Sequence, residues 1–560
     1  MESKLLKRRF PAWLIVTWGG FNAGALFGLA DALAIIMLGL SAFERGGAFV
    51  GLIAGDAFGC GLIGIASVWL ASGMACVFRI RGRRFRPLLA GLLTMLVCGS
   101  LSFRNLHWAF REPEGVPPGD AGNILIITLD TLRADALGCG GNSSVRTPML
   151  DHLAARGVQF CNAVCTVPMT TPSHASMLTS TIPAVHGALE NRYRLNEQNQ
   201  TLPEVLRERG YRTAAFVSCY PLDRRFGLDQ GFMLYHDRFG VPGDLRQMSW
   251  LKPILEYCHR HDMERIARHT NSLVIPWIRR YSTMSPFFLW IHYFDPHAPY
   301  APPPQERQYY LENPLEGRPY LDDDDYKKAR NAVPPGFRDK AVPGVPEGLY
   351  LGEVSETDRA LERVFREIAA RKVLDRTTVC LVADHGESMG EHGLFYTHGE
   401  DIYEPALHVP MIWFNAGPDR RLNDRLVSLI DIAPTVLTRL GFPIPEMMEG
   451  MDLFIEHQRE GCLVENYGLI MTHGATKQRG FRTGEQKYIL SVESQTSELY
   501  NLEDDPGETR DLAAFSSSTV ESLKRMTTEG FDQAAKRRID SVPDTSDETM
   551  QRLKSLGYFQ

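Results

Sequence analysis

Thr170-Thr171-Pro172-Ser173-His174-Ala175-Ser176-Met177-Leu178-Thr179-Ser180 is a hydroxyl-rich stretch set between two apolar runs that each end in an acid. One run is Asn123-Ile-Leu-Ile-Ile-Thr-Leu-Asp130, and the other is Thr377-Thr-Val-Cys-Leu-Val-Ala-Asp384-His385-Gly386-Glu387. Pro172 suits a first helical turn, and Ser173–Leu178 can continue it. The unpaired N–H groups and positive dipole end of such a helix favour an anion. A threonine hydroxyl is a poor nucleophile until a metal or a base lowers its pKa. On its own Thr170 or Thr171 would read as a plain N-cap. Beside Asp130, Asp384 and His385, a nucleophile next to a metal site is the stronger reading. Two carboxylates and an imidazole suit Zn²⁺ or Mn²⁺ better than an all-oxygen Ca²⁺ site, although Ca²⁺ stays open.

Outward from this stretch, short apolar runs alternate with helical patterns. Buried strands are expected at 124–129, 214–219, 287–294, 379–383 and 410–414, with helices at 147–155, 201–209 and 354–370 among them. Near-continuous β-branched and aromatic runs fit a sheet covered on both faces. Their alternation with helices predicts a mostly parallel α/β sheet flanked by helices. Ligands in such sheets bind beyond the carboxyl ends of the strands, where Asp130, Asp295 and Asp384 fall. After about residue 450 the pattern changes to short strands at 462–466, 480–482, 487–492 and 498–502, a small antiparallel subdomain. The expected domains are 123–450 for the catalytic part, 451–515 for this subdomain and 516–560 for a polar helical tail ending in Leu553-Lys-Ser-Leu-Gly-Tyr558.

Residues 1–110 read as membrane, with 111–122 as a Pro/Gly-rich linker. Apolar runs cover 11–41, 46–78 and 87–103, and about 20 residues cross the hydrocarbon. Lys4, Lys7, Arg8 and Arg9 precede the first run, and Arg79, Arg81, Arg83, Arg84 and Arg86 separate the second from the third. The positive-inside rule puts both basic segments in the cytoplasm. Three spans then place the rest on the extracytoplasmic side of the inner membrane. Residues 1–111 carry a net charge of +8 and the remainder −15. An acidic soluble part argues against nucleic acid as a partner, but an anionic ester, lipid-linked or glycan-linked, is still compatible when a metal dominates the local field.

Several ordered motifs resemble the sulfatase family of the alkaline phosphatase superfamily. They are Asp130-Thr-Leu-Arg-Ala-Asp-Ala-Leu-Gly138, Thr170-Thr-Pro-Ser-His174, Ser285-Pro-Phe-Phe-Leu-Trp-Ile-His-Tyr-Phe-Asp-Pro-His297, Asp384-His-Gly-Glu-Ser-Met-Gly-Glu-His-Gly393, Asp431-Ile-Ala-Pro-Thr435 and Glu498-Leu-Tyr-Asn-Leu-Glu-Asp-Asp-Pro-Gly-Glu-Thr-Arg510. The resemblance implies a metal held by Asp130, Thr170, Asp384 and His385. It also implies that His297 and His398 bind the ester or protonate its leaving group, with Ser173 and His174 as substrate-side contacts.

The departures from that pattern redirect the chemistry. The family's formylglycine derives from the Cys of Cys-x-Pro-Ser-Arg, and Thr170 stands in that place, with His174 in the place of the Arg and Thr131 in that of a second Asp. Oxidising a threonine would give a ketone, so no formylglycine is expected. A threonine ester cannot collapse to an aldehyde and must be resolved by a second attack at phosphorus or sulfur. That double displacement resembles phosphodiesterases and phosphoethanolamine-type headgroup transferases. The expectation is a membrane-anchored hydrolase or transferase of sulfate or phosphate esters. A non-catalytic sulfatase-like membrane protein is the alternative.

Overall fold

The computed structural model describes residue 117 and residues 121–238, 264–416, 422–455, 459–468, 476–556 and 558. The three expected spans lie outside the described residues. Among the described residues no helix is long and apolar enough to cross a membrane.

The uninterrupted apolar run at Asn123–Leu129 forms β1, buried at every position. Chain order continues with β2 (Val158–Val164), β3 (Arg212–Phe216), β4 (Leu234–His236), β5 (Phe287–Tyr293), β6 (Thr377–Ala383), β7 (Ser388–Met389), β8 (Phe395–Thr397), β9 (His408–Phe414) and β10 (Leu422–Ser428). Eight of these make one sheet in the order β10-β2-β9-β6-β1-β5-β3-β4. β1 pairs in parallel with both β5 and β6, while β9 runs antiparallel to its neighbours β6 and β2. β9 therefore runs against the other strands of an otherwise parallel sheet. Because β6, β1 and β5 are adjacent and in register, Leu129 lies level with Ala383 and Tyr293. The residues that follow each of these strands consequently emerge side by side at one edge, the expected ligand position.

The β-hairpin pattern after residue 460 forms β11 (Cys462–Asn466), β12 (Gln478–Arg482), β13 (Gln486–Ser491) and β14 (Ser497–Asn501), an antiparallel sheet in sequential order. The tail is helical at Ser517–Arg537 and Asp547–Ser555. Lys487 of β13 is wholly buried, with its ammonium 3.1 Å from Glu404 and 2.5 Å from Glu508, and Arg482 also donates to Glu404. Glu404 opens the short helix before β9, so this ion cluster ties the small sheet to the large one. Burial pushes the Glu404 carboxyl up, but Lys487 and Arg482 outweigh it and hold it well below its usual range. A depressed carboxylate stabilises the fold above its unfolded pKa, and that contribution begins to fade below about pH 4 and is lost only well below it, as pH falls through the folded pKa. Lys487→Ala leaves two buried carboxylates without their ammonium, so a loss of about 3–5 kcal/mol is expected in denaturant unfolding.

Candidate active site

Asp130, Asp384 and Thr170 come together where three chain segments leave the sheet. Asp130 follows β1, Asp384 follows β6, and Thr170 opens the fully buried helix Thr170–Thr179. Thr131 sits at φ 53°, a strained value for a β-branched residue. Its N–H points at Asp384 Oδ1 (3.4 Å) and its carbonyl accepts from the Tyr350 hydroxyl, so the turn is held on both sides. Gly386 is required by close packing, since a Cβ there would stand 2.0 Å from the Pro405 carbonyl oxygen.

The two threonines of the opening stretch have separate fates. Thr171 donates its hydroxyl to the Pro221 carbonyl (2.6 Å) and its N–H to Asn191 (2.8 Å). Thr170 Oγ1 instead faces the site, 3.4 Å from His385 Nε2 and 3.0 Å from the Tyr558 hydroxyl.

Among the described residues, three groups of buried side chains have metal-ligand spacing: Asp130/Asp384/His385, Asp130/Cys219/His292 and His174/His292/Asp384. Proton placement, assigned from hydrogen bonds, separates them. His292 Nδ1 accepts the Ser218 N–H, so the neutral ring carries its proton on Nε2, facing Asp130 Oδ2 at 3.3 Å. His174 donates from Nδ1 to the Thr170 carbonyl (2.8 Å) and accepts at Nε2 from Thr128 (3.1 Å). Neither ring has a free lone pair for an ion. His385 donates from Nδ1 to the Gly386 carbonyl (3.0 Å), which leaves the Nε2 lone pair free. That nitrogen lies 3.8 Å from Asp130 Oδ1 and 3.5 Å from Asp384 Oδ2, and both oxygens are buried without a hydrogen-bond partner among the described residues. These two orphaned oxygens and the free imidazole nitrogen are spaced for donors roughly 2 Å from a common divalent ion, and Thr170 Oγ1 lies 3.4 Å from that nitrogen. The residues fit such an ion.

The electrostatics match. Burial, then the charges of Asp384 and Glu387, push the Asp130 carboxyl well above its usual range, and burial does the same to Asp384. Burial and then His398 hold the His385 ring neutral, well below its ordinary pKa. A buried cation offsets the two carboxyl shifts and favours the same neutral His385 ring that burial does.

His297 and His398 lie beside this cluster, His398 packed on the His385 ring. His297 donates from Nδ1 to the Ala298 carbonyl (2.6 Å), so Nε2 is the acceptor toward Tyr558 (3.2 Å). Burial and then His398 lower its pKa to about 3. His398 donates from Nδ1 to Glu387 Oε1 (3.1 Å), and its buried Nε2 has no partner among the described residues. The two rings meet at 5.1 Å between centroids. Glu387 is thus an orienting group for His398. Glu391 is instead bonded to Arg133 (3.0 Å). Asp295, two residues beyond β5, accepts the Ala267 N–H (2.8 Å) at the start of another helix.

Ser173 and His174, expected on the substrate side, face inward. The Ser173 hydroxyl donates to the Asp384 carbonyl (2.6 Å), and both His174 nitrogens are committed as described. They tie the Thr170–Thr179 helix to β1 and to the end of β6. Tyr558 is the residue that motif reading missed. Its only sequence signal is an apolar end on a polar tail.

Residues 122–442 match the Sulfatase family, and residues 390–536 match the family of the C-terminal part of N-sulphoglucosamine sulphohydrolase. An arylsulfatase of Clostridium perfringens is 26% identical over 438 residues, 70% of this chain and 90% of that protein. Arylsulfatase K of Homo sapiens is 24% identical over 440 residues, 70% of this chain and 79% of its own length. A structure determined in complex with its substrate D-glucosamine-2-N,6-O-disulfate matches with a TM-score of 0.59 at 20% identity, over 74% of this chain and 98% of that one. The phosphonate monoester hydrolase of Agrobacterium radiobacter matches with a TM-score of 0.55 at 20% identity, over 74% and 96%. At such identities these structures speak for the fold alone. With more than half its length inside the family match, the chain belongs to the sulfatase family and is an ester hydrolase.

Proposed function

We propose that Thr170 is the nucleophile of a metal-dependent enzyme that takes a phosphoryl or sulfuryl group from an ester and passes it to water. Thr170 Oγ1 carries this reading, because it opens a helix and lies within reach of the free nitrogen of His385. Asp130, Asp384, His385 and Thr170 would hold the ion, with Zn²⁺ or Mn²⁺ favoured by the imidazole in the set. When bound, the ion supplies a Lewis acid that lowers the hydroxyl's pKa and offsets charge on the transferred group.

The chain's own residues supply the rest. Thr170 Oγ1 passes its proton to an imidazole as it bonds to phosphorus or sulfur, the bond to the ester's alcohol oxygen breaks, and that oxygen leaves with the proton the imidazole returns. Water then attacks the same centre as an imidazole takes its proton, the bond to Thr170 Oγ1 breaks, and that oxygen recovers the proton. His297 and His398 are the two rings placed for this exchange, and Glu387 fixes the orientation of His398. Because the threonine ester has no aldehyde route, phosphoryl esters are the favoured substrates. His297→Asn is expected to lower kcat by about 10²–10⁴-fold while metal content stays at the wild-type level.

Full-length protein in detergent, assayed with an aryl sulfate, an aryl phosphate monoester and an aryl phosphodiester across Zn²⁺, Mn²⁺ and Ca²⁺, tests the reading. Metal-dependent turnover of one of the three is expected. No turnover of any with any metal would falsify it. Added alcohol acceptors distinguish hydrolysis from headgroup transfer, since a transferase yields the new ester. The basic residues around the apolar runs further support an extracytoplasmic catalytic unit anchored to the inner membrane. Cleavage of the catalytic unit by protease added to intact spheroplasts is the expected result.

A further inference from the structure

We propose that Tyr558 is a catalytic contact: its hydroxyl hydrogen-bonds an oxygen of the transferred group or the leaving oxygen. This rests on the reading of Thr170 as the nucleophile. The Tyr558 hydroxyl lies 3.0 Å from Thr170 Oγ1 and 3.2 Å from His297 Nε2, so it bridges the proposed nucleophile and a proposed acid/base group. Its ring packs against both His297 and His398, with centroids 5.8 and 5.6 Å away. His297 Nδ1 is already a donor to the Ala298 carbonyl, so Nε2 accepts and the phenol donates. An ester arriving between Thr170 and His297 would meet that O–H first. His174, which stands where the related pattern has an arginine, has both nitrogens committed elsewhere. A neutral O–H donor at this position is placed to meet charge that grows in the transition state.

The segment carrying Tyr558 is built into the fold. Leu553 is fully buried and Tyr558 nearly so, in one apolar cluster with Val167, Met169, Tyr220 and Phe226. Val167 and Met169 immediately precede the nucleophile helix, and Tyr220 follows β3. The Tyr220 hydroxyl meets Thr549 at 3.0 Å, and Ile539 N–H donates to the Val185 carbonyl at 2.8 Å. A loosely held plug would lack this anchoring. The same cluster that seats the start of the nucleophile helix seats Tyr558.

Tyr558→Phe keeps the ring and deletes the hydroxyl. Measured on full-length protein with its metal, beside Thr170→Ala, it is expected to lower kcat by about 10²-fold with KM, metal content and Tm close to wild type. Orthovanadate, a tetrahedral oxyanion probe that needs no turnover, is expected to bind the Phe variant at least about fivefold more weakly. Wild-type kcat and wild-type vanadate affinity in Tyr558→Phe, with Thr170→Ala inactive, would overturn the contact and leave the nucleophile standing. A rise in kcat/KM would also overturn it, because the tyrosine would then be an obstruction. Unimpaired turnover by Thr170→Ala would instead bring down the nucleophile reading, and this inference with it.

Discussion

Thr170→Ala is expected to abolish turnover, with kcat falling by at least about 10⁴-fold, the scale on which enzymes lose rate when a nucleophile is deleted. The variant removes one hydroxyl and one methyl from a buried position at the first turn of a helix. Its structural cost is small, because the helix is held by other bonds: Thr171 N–H to Asn191, Ser173 Oγ to Asp384 and His174 to the Thr170 carbonyl all survive. Wild-type Tm with lost activity is therefore the expected pair of results. A Thr170→Ala enzyme that still works would move the chemistry to water attacking directly. Thr170→Ser retains a hydroxyl and should recover much of the rate. Mass spectrometry of the wild type quenched during turnover should find the group on Thr170.

Stripping the metal is expected to have the second-largest effect. A chelator should remove essentially all activity, and Zn²⁺ or Mn²⁺ should restore it. Tm should move in the same direction, because an ion that binds only the folded chain stabilises it by about 2.7 kcal/mol at a hundred times its Kd. The reason lies in the two orphaned oxygens, Asp130 Oδ1 and Asp384 Oδ2, buried beside an uncharged His385 ring. Without a cation those carboxyls sit well above their usual range and tend to stay protonated. Binding then displaces protons, so metal affinity should weaken as pH falls. Asp384→Asn should mimic the stripped state at any metal concentration that saturates the wild type. Metal-independent activity in that variant would remove Asp384 from the ligand set.

The parts of this architecture legible in the sequence are those encoded by local runs. β1, β5 and β6 are continuous stretches of β-branched and aromatic residues, and their ends at Asp130, Tyr293 and Asp384 follow directly. β2 and β10 escape such reading. Gln159, Cys161 and Asn162 interrupt the apolar pattern of β2, and β10 begins Leu422-Asn-Asp-Arg at the sheet edge, where one side faces water. Side-chain direction is less legible still. Ser173 and His174 carry the right chemistry for a substrate contact, but backbone carbonyls at Asp384 and Thr170 claim them. Which histidine has a free nitrogen depends on bonds to Ser218 N–H and the Gly386 carbonyl, which no spacing encodes. Tyr558 lies 388 residues from Thr170, beyond any motif.

That long separation sets the order in which the molecule can become competent. Contacts closed across so many residues form late, after the entropy of the intervening loop has been overcome by the rest of the fold. The large sheet, with Asp130, Asp384 and His385 at its edge, can be in place while the chain near Tyr558 is still unseated. A protein nicked between Arg537 and Asp547, the ends of the two tail helices, should keep its metal and its sheet yet leave Thr170 uncovered. Folding probes on the sheet and recovery of activity should then report different refolding rates, with activity the slower.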